Sequence, residues 1–119
     1  MECIELQRLR DEWSDFVDLA AADEAFEVSY RGTGVMVLLS PATWQLGAKK
    51  VPVQPELIAE VSIAEGRERL SERRIAARRN GEHTRVLWGH TGEPQAMLVP
   101  IAWAREALAV LFSEPAADT

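Results

Sequence analysis

Cysteine is nearly absent from this chain of 119 residues, and the single Cys3 cannot form an internal disulfide bond. No stretch approaches the roughly 18 consecutive apolar residues that a membrane-spanning helix needs. Residues 1–5 have neither the basic start nor the apolar core of a secretory signal. These absences exclude a disulfide-stabilised secreted domain and a membrane partner, so we expect a cytoplasmic protein.

Histidine is also scarce, with only His83 and His90 in the chain. Neither has a cysteine or carboxylate at a spacing typical of metal ligands, and no glycine-rich loop joins a strand-like run to a helix-like one. Ser14 and Ser71 lie within helix-like segments and not on the sharp turn of a nucleophile elbow. We therefore predict no catalytic residue, no metal and no cofactor, and hence a protein that is not an enzyme.

The clearest pattern in the chain is the order of elements between Val61 and Phe112. A short β-branched run precedes a polar, helix-favouring segment, which ends before Gly81. Two strand-like runs with a turn between them follow, and Pro100 then opens another helix, where its missing N–H costs nothing. The order is strand, helix, hairpin, helix, over residues 61–63, 64–79, 84–99 and 101–112.

The first 46 residues show a diverged copy of the same order. Arg10 matches Arg67 at an offset of 57, and Trp44 matches Trp103 at an offset of 59. Residues 26–30 and 35–39 supply the two strand-like runs of this copy. We predict one domain made of repeat one (1–46), a connector (47–60), repeat two (61–112) and a short tail (113–119).

Two blocks of repeat two, residues 62–72 and 92–100, are similar to the prevent-host-death/YefM type of bacterial antitoxin. The family pattern is Ile-Ser-x-x-Glu-x-Arg-x-x-Leu-Ser, then a helix, then a hairpin with Arg-x-Gly-Lys-Pro-x-Ala-Val-Leu-Val. Arg10, residues 13–17 and residues 35–41 keep the same spacing in repeat one. The chain thus resembles two tandem, diverged members of this family.

The resemblance implies the fold, because the antitoxins pair as protomers through their sheets. We expect an α+β fold in which two strand–helix–β-hairpin–helix repeats pair as a pseudo-twofold intrachain dimer. Further dimerisation of the whole chain stays open, because such pairing leaves sheet edges free.

The resemblance also implies a function, a DNA-binding transcriptional regulator of a toxin–antitoxin system. In the family, the start of the first helix and the basic hairpin read DNA. This implies operator contacts by Arg67, Arg69, Arg10 and Arg31. The chain departs from the pattern at three positions, with His90 and Glu93 in place of basic hairpin residues and Arg73 in place of a buried leucine.

A stripe of arginines on the helix of repeat two supports this function from the residues themselves. On one continuous helix Arg67, Arg74 and Arg78 lie within about 40° of one another, beside the apolar side. The planar fork of arginine suits phosphate and guanine edges. The alternative is a solvated face, because Glu65, Glu68 and Glu72 interleave with the arginines and can pair with them.

Charge supports a different function for repeat one. Residues 1–46 hold nine acids and three bases, a net charge of −6, whereas residues 61–112 hold eight arginines and six acids, a net charge of +2. The exposed side predicted for the first helix carries Asp11, Asp15 and Asp18. These repel phosphate, and they suit a protein-interaction module that binds a basic toxin or other partner without DNA. The tail of seven residues is short for wrapping a toxin.

We predict that the core is built on large apolar residues from both repeats. Their spacing of three and four in helices, or alternation in strands, places them on inward sides. Arg73 is expected to reach solvent by extending its stem over the apolar side. The predicted core residues are Trp13, Phe16, Leu38, Trp44, Leu70, Leu98, Trp103 and Leu108.

Overall fold

The computed structural model describes residues 1–88 and 92–112 and shows an α+β fold. This part of the chain contains six strands, six α-helices and two 3-10 helices. The strands are β1 (Glu2–Glu5), β2 (Phe26–Tyr30), β3 (Thr33–Leu39), β4 (Ile58–Ser62), β5 (His83–Trp88) and β6 (Glu93–Pro100). The α-helices are α1 (Leu6–Asp11), α2 (Trp13–Ala21), α3 (Pro41–Lys50), α4 (Ile63–Glu68), α5 (Leu70–Asn80) and α6 (Ile101–Ala107), and the 3-10 helices are Pro55–Leu57 and Ala109–Phe112.

The six strands form one mixed sheet in the order β1-β2-β3-β6-β5-β4. The two outer pairs, β1 with β2 and β4 with β5, are parallel, and the three inner pairs are antiparallel. At the centre β3 pairs with β6, with Leu38 opposite Leu98 and Leu39 opposite Met97. This long-range pairing joins the two halves of the chain into one sheet.

The predicted pairing of two strand–helix–β-hairpin–helix repeats as a pseudo-twofold intrachain dimer is wrong. Strands and helices interleave along the chain, but the strands form one continuous six-stranded mixed sheet, whose topology differs from that of a strand–helix–hairpin repeat. Periodicity within a segment predicts its element type, but it does not encode which distant strands will pair. Of the predicted fold class, the α+β assignment remains.

Helices cover both faces of the sheet, so both faces contribute to a core. On one face α1, α2, α4 and α5 pack over residues such as Phe26, Val28 and Leu98. On the other face α3 and α6 pack over Val37 and Val99. The buried positions predicted from the sequence are confirmed, because all eight side chains are at most 9% exposed: Trp13, Phe16, Leu38, Trp44, Leu70, Leu98, Trp103 and Leu108.

The long helices predicted for residues 64–79 and 101–112 are each interrupted. Arg69 leaves the helical conformation, with φ −101° and ψ 17°, and separates α4 from α5. Glu12 divides α1 from α2 in the same way, with φ −117° and ψ 33°. After α6 the chain continues as a 3-10 helix. The two breaks bring Trp13 and Leu70, the first residues of the helices that follow, into the core.

Local signals explain where the helices begin and end. Ser62 and Glu65 form a capping box, in which the Ser62 hydroxyl accepts the Glu65 N–H at 3.1 Å and the Glu65 carboxylate accepts the Ser62 N–H at 3.0 Å. Ser40 caps α3 by accepting the Thr43 N–H at 3.0 Å. Gly81 ends α5 with φ +69°, a conformation that favours glycine.

The segment predicted as a connector, residues 47–60, is more ordered than its prolines suggest. It contains the last turn of α3, the 3-10 helix Pro55–Leu57 and the start of β4. Arg73 also differs from expectation, because its side chain is only 14% exposed and donates to the Glu82 carboxylate at 2.8 Å. In the described ranges no helix is long and apolar enough to cross a membrane. His90 and the tail, residues 113–119, lie outside the described residues.

Candidate functional site

Two of the arginines predicted to bind DNA lie over the ring of one tyrosine, and a third lines the same cleft. Tyr30 ends β2, and the guanidinium carbon of Arg74 lies 3.9 Å from the centre of its ring. Arg31 follows in the turn, with its guanidinium carbon 5.0 Å from the same ring centre. Together with Arg78 they line a cleft of about 550 Å³, which we call the Tyr30 cleft.

The Tyr30 cleft has an apolar wall and a cationic rim. Val35, Pro100 and Ile101 supply apolar surface. Within the part of the chain that the structure describes, Arg31, Arg74 and Arg78 make no ion pair, and the buried Nε of Arg74 has no hydrogen-bond acceptor. Unpaired guanidinium groups attract anions, and their planar fork matches a phosphate.

The basic surface continues along α5 beyond the Tyr30 cleft. Arg79 lines a second hollow, of about 390 Å³, together with Arg74, Ile75 and Arg78. One carboxylate, that of Glu27, lies against Gly34 at the wall of the Tyr30 cleft. The surface is therefore positive overall, in a chain whose net charge is −6.

Arg10 and Arg67 meet elsewhere, where the α1–α2 break faces α4. The Arg67 Nε–H donates to the backbone carbonyl of Arg10 at 3.1 Å, and Arg10 donates to the Ser71 hydroxyl at 2.7 Å. The Trp13 indole N–H donates to the Ile63 carbonyl at 2.7 Å. The predicted stripe is thus divided, because the helix break at Arg69 separates Arg67 from Arg74 and Arg78.

We call this contact between Arg10 and Arg67 the Arg10–Arg67 crossing. Beside it lies an open groove of about 1,020 Å³, which we call the Trp88 groove. Its apolar surface includes Trp88, which ends β5 and is 61% exposed. The lining residues are Arg10, Trp13, Ser14, Ser62, Ile63, Ala64, Arg67, Glu68 and Trp88.

Carboxylates surround the Arg10–Arg67 crossing. Asp11, Glu12 and Asp15 line a small cleft of about 120 Å³ with Arg67. These acids repel phosphates, so this crossing is less suited to DNA than the Tyr30 cleft. Arg69 is exposed at the helix break and lines neither site.

The acids predicted to bind a basic partner are all exposed on α1 and α2. Asp11 accepts a hydrogen bond from Gln7 at 2.9 Å, and Asp15 lies in the first turn of α2. Within the described ranges Asp11, Asp15 and Asp18 make no ion pair. They form a negative face, of which Asp11 and Asp15 line a small cleft with Arg67.

His83 is buried between two tryptophans on the other face of the sheet. The Trp44 indole N–H donates to His83 Nδ1 at 2.9 Å, and the Trp103 ring centre lies 4.7 Å from the His83 ring centre. Burial lowers the pKa of His83 from 6.5 to about 4, so the ring is neutral at pH 7. In the described ranges no group of histidine, cysteine and acidic residues is arranged to hold a metal ion.

Two aromatic residues at these sites were missed by sequence reasoning. Tyr30 directly precedes Arg31 and the hairpin turn, which could have indicated an aromatic base for the arginines. Trp88 ends a strand, where a large apolar side chain is typical of the core, and its exposure has no sequence signal. Comparison of the chain with protein-family models, curated proteins and solved structures gave no match.

Proposed function

We propose that the chain is a DNA-binding transcriptional regulator of the antitoxin type, which contacts the phosphates of operator DNA through the Tyr30 cleft. The antitoxin assignment depends on the resemblance of residues 62–72 and 92–100. The DNA assignment is supported by one observation above all: Arg31, Arg74 and Arg78 line the Tyr30 cleft together and make no ion pair in the described ranges. The proposal retains the cytoplasmic location and the absence of catalysis expected from the sequence.

The division of the arginines changes the proposed mode of binding. Phosphates would contact the Tyr30 cleft and the outer turns of α5, with little help from Arg10 and Arg67, whose neighbours are acidic. Binding through a few phosphates on a negative chain should be modest in affinity and steep in its salt dependence. Arg74 would act partly through its ring contact, because stacking on Tyr30 fixes the guanidinium.

The test is a titration of the chain's own promoter region at two salt concentrations. The variant carries Arg31→Asn and Arg78→Gln, because asparagine tolerates the positive φ of 53° at position 31 and Arg78 is exposed. Arg74 stays in place to preserve its packing. We expect weaker binding to all sequences and a log–log salt slope that is less steep by nearly 2 units, about 0.9 for each phosphate that is no longer neutralised.

The matched control is Lys49→Gln with Lys50→Gln, which removes the same charge from exposed positions of α3. This control variant should retain most of the DNA affinity and most of the log–log salt slope of the unaltered chain. No binding even at low salt, or equal reductions in affinity in the two double variants, would contradict the proposal.

A second candidate is a protein-interaction module that binds a basic toxin or other partner. The observation that favours it is the exposed acidic face of Asp11, Asp15 and Asp18, which make no ion pair with any described residue. A pull-down that recovers a basic protein, and loses it with Asp11→Asn, Asp15→Asn and Asp18→Asn, would favour this module over the regulator. Association with a second copy of the chain stays a prediction that light scattering tests.

A further inference from the structure

We propose that the Trp88 groove is a binding site for a small aromatic carboxylate. This site goes beyond the proposed DNA contact, because the groove and the Tyr30 cleft share no residue. The groove combines an apolar surface with two guanidinium groups. Its volume of about 1,020 Å³ is at the upper end of the range typical of small-molecule sites.

The apolar part of the groove is suited to a flat ring. Trp88 stacks on no other ring in the described part of the chain, so one face of its indole is available. Trp13 is fixed by its hydrogen bond to Ile63, and it packs so closely on Gly66 that a Cβ there would lie 2.7 Å from the indole. Trp13 is 2% exposed and forms the rigid base of the groove, so the aromatic surface that an entering ring meets is that of Trp88.

The polar part of the groove is suited to a single carboxylate. The Nε of Arg67 is occupied by the Arg10 carbonyl, and its two terminal nitrogens have no acceptor among residues 1–88 and 92–112. This geometry presents the two-pronged end of the guanidinium, which carboxylates accept in a bidentate manner. Arg10 is oriented by Ser71 and also lacks an ion pair in those ranges.

The surrounding acids restrict the charge of the ligand. Glu68 lines the groove itself, and Asp11, Glu12 and Asp15 lie on the other side of Arg67. They disfavour a phosphate or other polyanion near the crossing, because each added negative charge meets several carboxylates. A ligand with one carboxylate on an aromatic ring can bind the two arginines and brings only one negative charge close to the acids.

The probe is indole-3-acetate, followed by isothermal titration calorimetry and by shifts of the protein's indole N–H signals in NMR. A ligand of about 13 non-hydrogen atoms at ordinary ligand efficiency should bind with a Kd on the order of 1 mM. The neutral analogue indole-3-ethanol keeps the ring and lacks the charge. It should bind about ten-fold more weakly, because it cannot accept the charge-assisted hydrogen bonds.

Two variants test the two parts of the site. Trp88→Ala and Arg67→Gln should each weaken indole-3-acetate about ten-fold, and Arg67→Gln should also remove the preference for the acid over the alcohol. Arg105→Gln, an exposed arginine outside both the groove and the Tyr30 cleft, is the control and should bind as the unaltered chain does. Arg67→Lys separates charge from geometry, and it should restore only part of the preference because lysine lacks the planar fork.

The proposal is overturned if indole-3-acetate shows no saturable binding by about 10 mM, ten-fold above the expected Kd. It is equally overturned if the acid and the alcohol bind alike, or if folded Trp88→Ala or Arg67→Gln protein binds the acid as well as the Arg105→Gln control. The fold of each variant is checked by thermal unfolding, and Trp88→Ala, at a mostly exposed position, keeps the test valid even if Arg67→Gln is unstable.

Discussion

His83 is the residue whose environment departs most from its ordinary chemistry. It is 2% exposed, accepts the Trp44 indole N–H at Nδ1 and packs edge-on against Trp103. Burial holds the ring neutral, because the charged form loses its hydration. His83 is therefore a structural residue whose protonation opposes the fold.

Acidification should destabilise the protein through His83. The unfolded chain takes up a proton near the ordinary pKa of 6.5, whereas the folded chain takes it up only near 4, so stability falls as the pH is lowered from about 6.5 towards 4. The expected loss by pH 4 is roughly 2–3 kcal/mol. Urea unfolding at pH 7, 6 and 5 measures the slope of the unfolding free energy against pH. His83→Phe should remove most of this pH dependence, and a slope of zero in the unaltered chain would contradict the pKa assigned to His83.

Trp103 is expected to be one of the costliest residues to truncate. Its indole N–H donates to the Val51 carbonyl at 3.0 Å, and its ring lies so close to Gly47 that a Cβ there would be 2.8 Å away. Trp103→Ala leaves a cavity between α3 and α6 and should cost roughly 3–5 kcal/mol in chemical denaturation. Trp88→Ala, at a mostly exposed position, should change stability by less than about 0.5 kcal/mol. Similar losses in both variants would contradict this packing.

At the scale of elements, the helix breaks at Glu12 and Arg69 determine which arginines lie close to one another. A continuous helix would align Arg67 with Arg74 and Arg78, whereas the break places Arg67 beside Arg10 and leaves Arg74 above Tyr30. Neither break has the proline or glycine that usually marks an interruption in sequence. The division of the site therefore depends on tertiary packing, since Trp13 and Leu70 enter the core where the helices restart.

The strands should differ in their protection from hydrogen exchange. β3 and β6 lie at the centre of the sheet with helices on both faces, whereas β1 and β4 have one unpaired edge each. Amide protons of β3 and β6 should exchange only with global unfolding, and those of β1 and β4 should exchange faster by local opening. Hydrogen-exchange mass spectrometry of the peptides that cover these strands tests the order. Equal protection at the edges would indicate that another chain covers them.

At the scale of the molecule, sequence patterns predicted elements and core better than topology. Alternation and helical spacing predicted the two hairpins and the eight buried residues, because burial imposes a local period. They did not predict the strand order, which depends on pairs such as Leu38 with Leu98, 60 positions apart. Of the candidate sites, the arginines were visible in the sequence. Tyr30 and Trp88 were not, because Arg74 and the residues that line the Trp88 groove are distant from them in the chain.

The distribution of charge gives the molecule two surfaces of opposite character. The basic one includes Arg31, Arg74, Arg78 and Arg79, and the acidic one includes Asp11, Asp15 and Asp18. Because surface charge acts mainly within a Debye length of about 8 Å at physiological salt, each surface presents its own sign to a nearby partner. The two surfaces therefore differ in the sign of the charge that they attract.

The exposed Cys3 on the edge strand β1 has a practical consequence. It is the single thiol of the chain, so a maleimide reagent attaches at one chemically defined position without any substitution. Every molecule coupled to a sensor surface through this thiol is anchored by the same edge of its sheet and has the same orientation. Surface-based kinetics of DNA or protein binding would then come from a uniform population, and a fluorophore at this position would label each chain once.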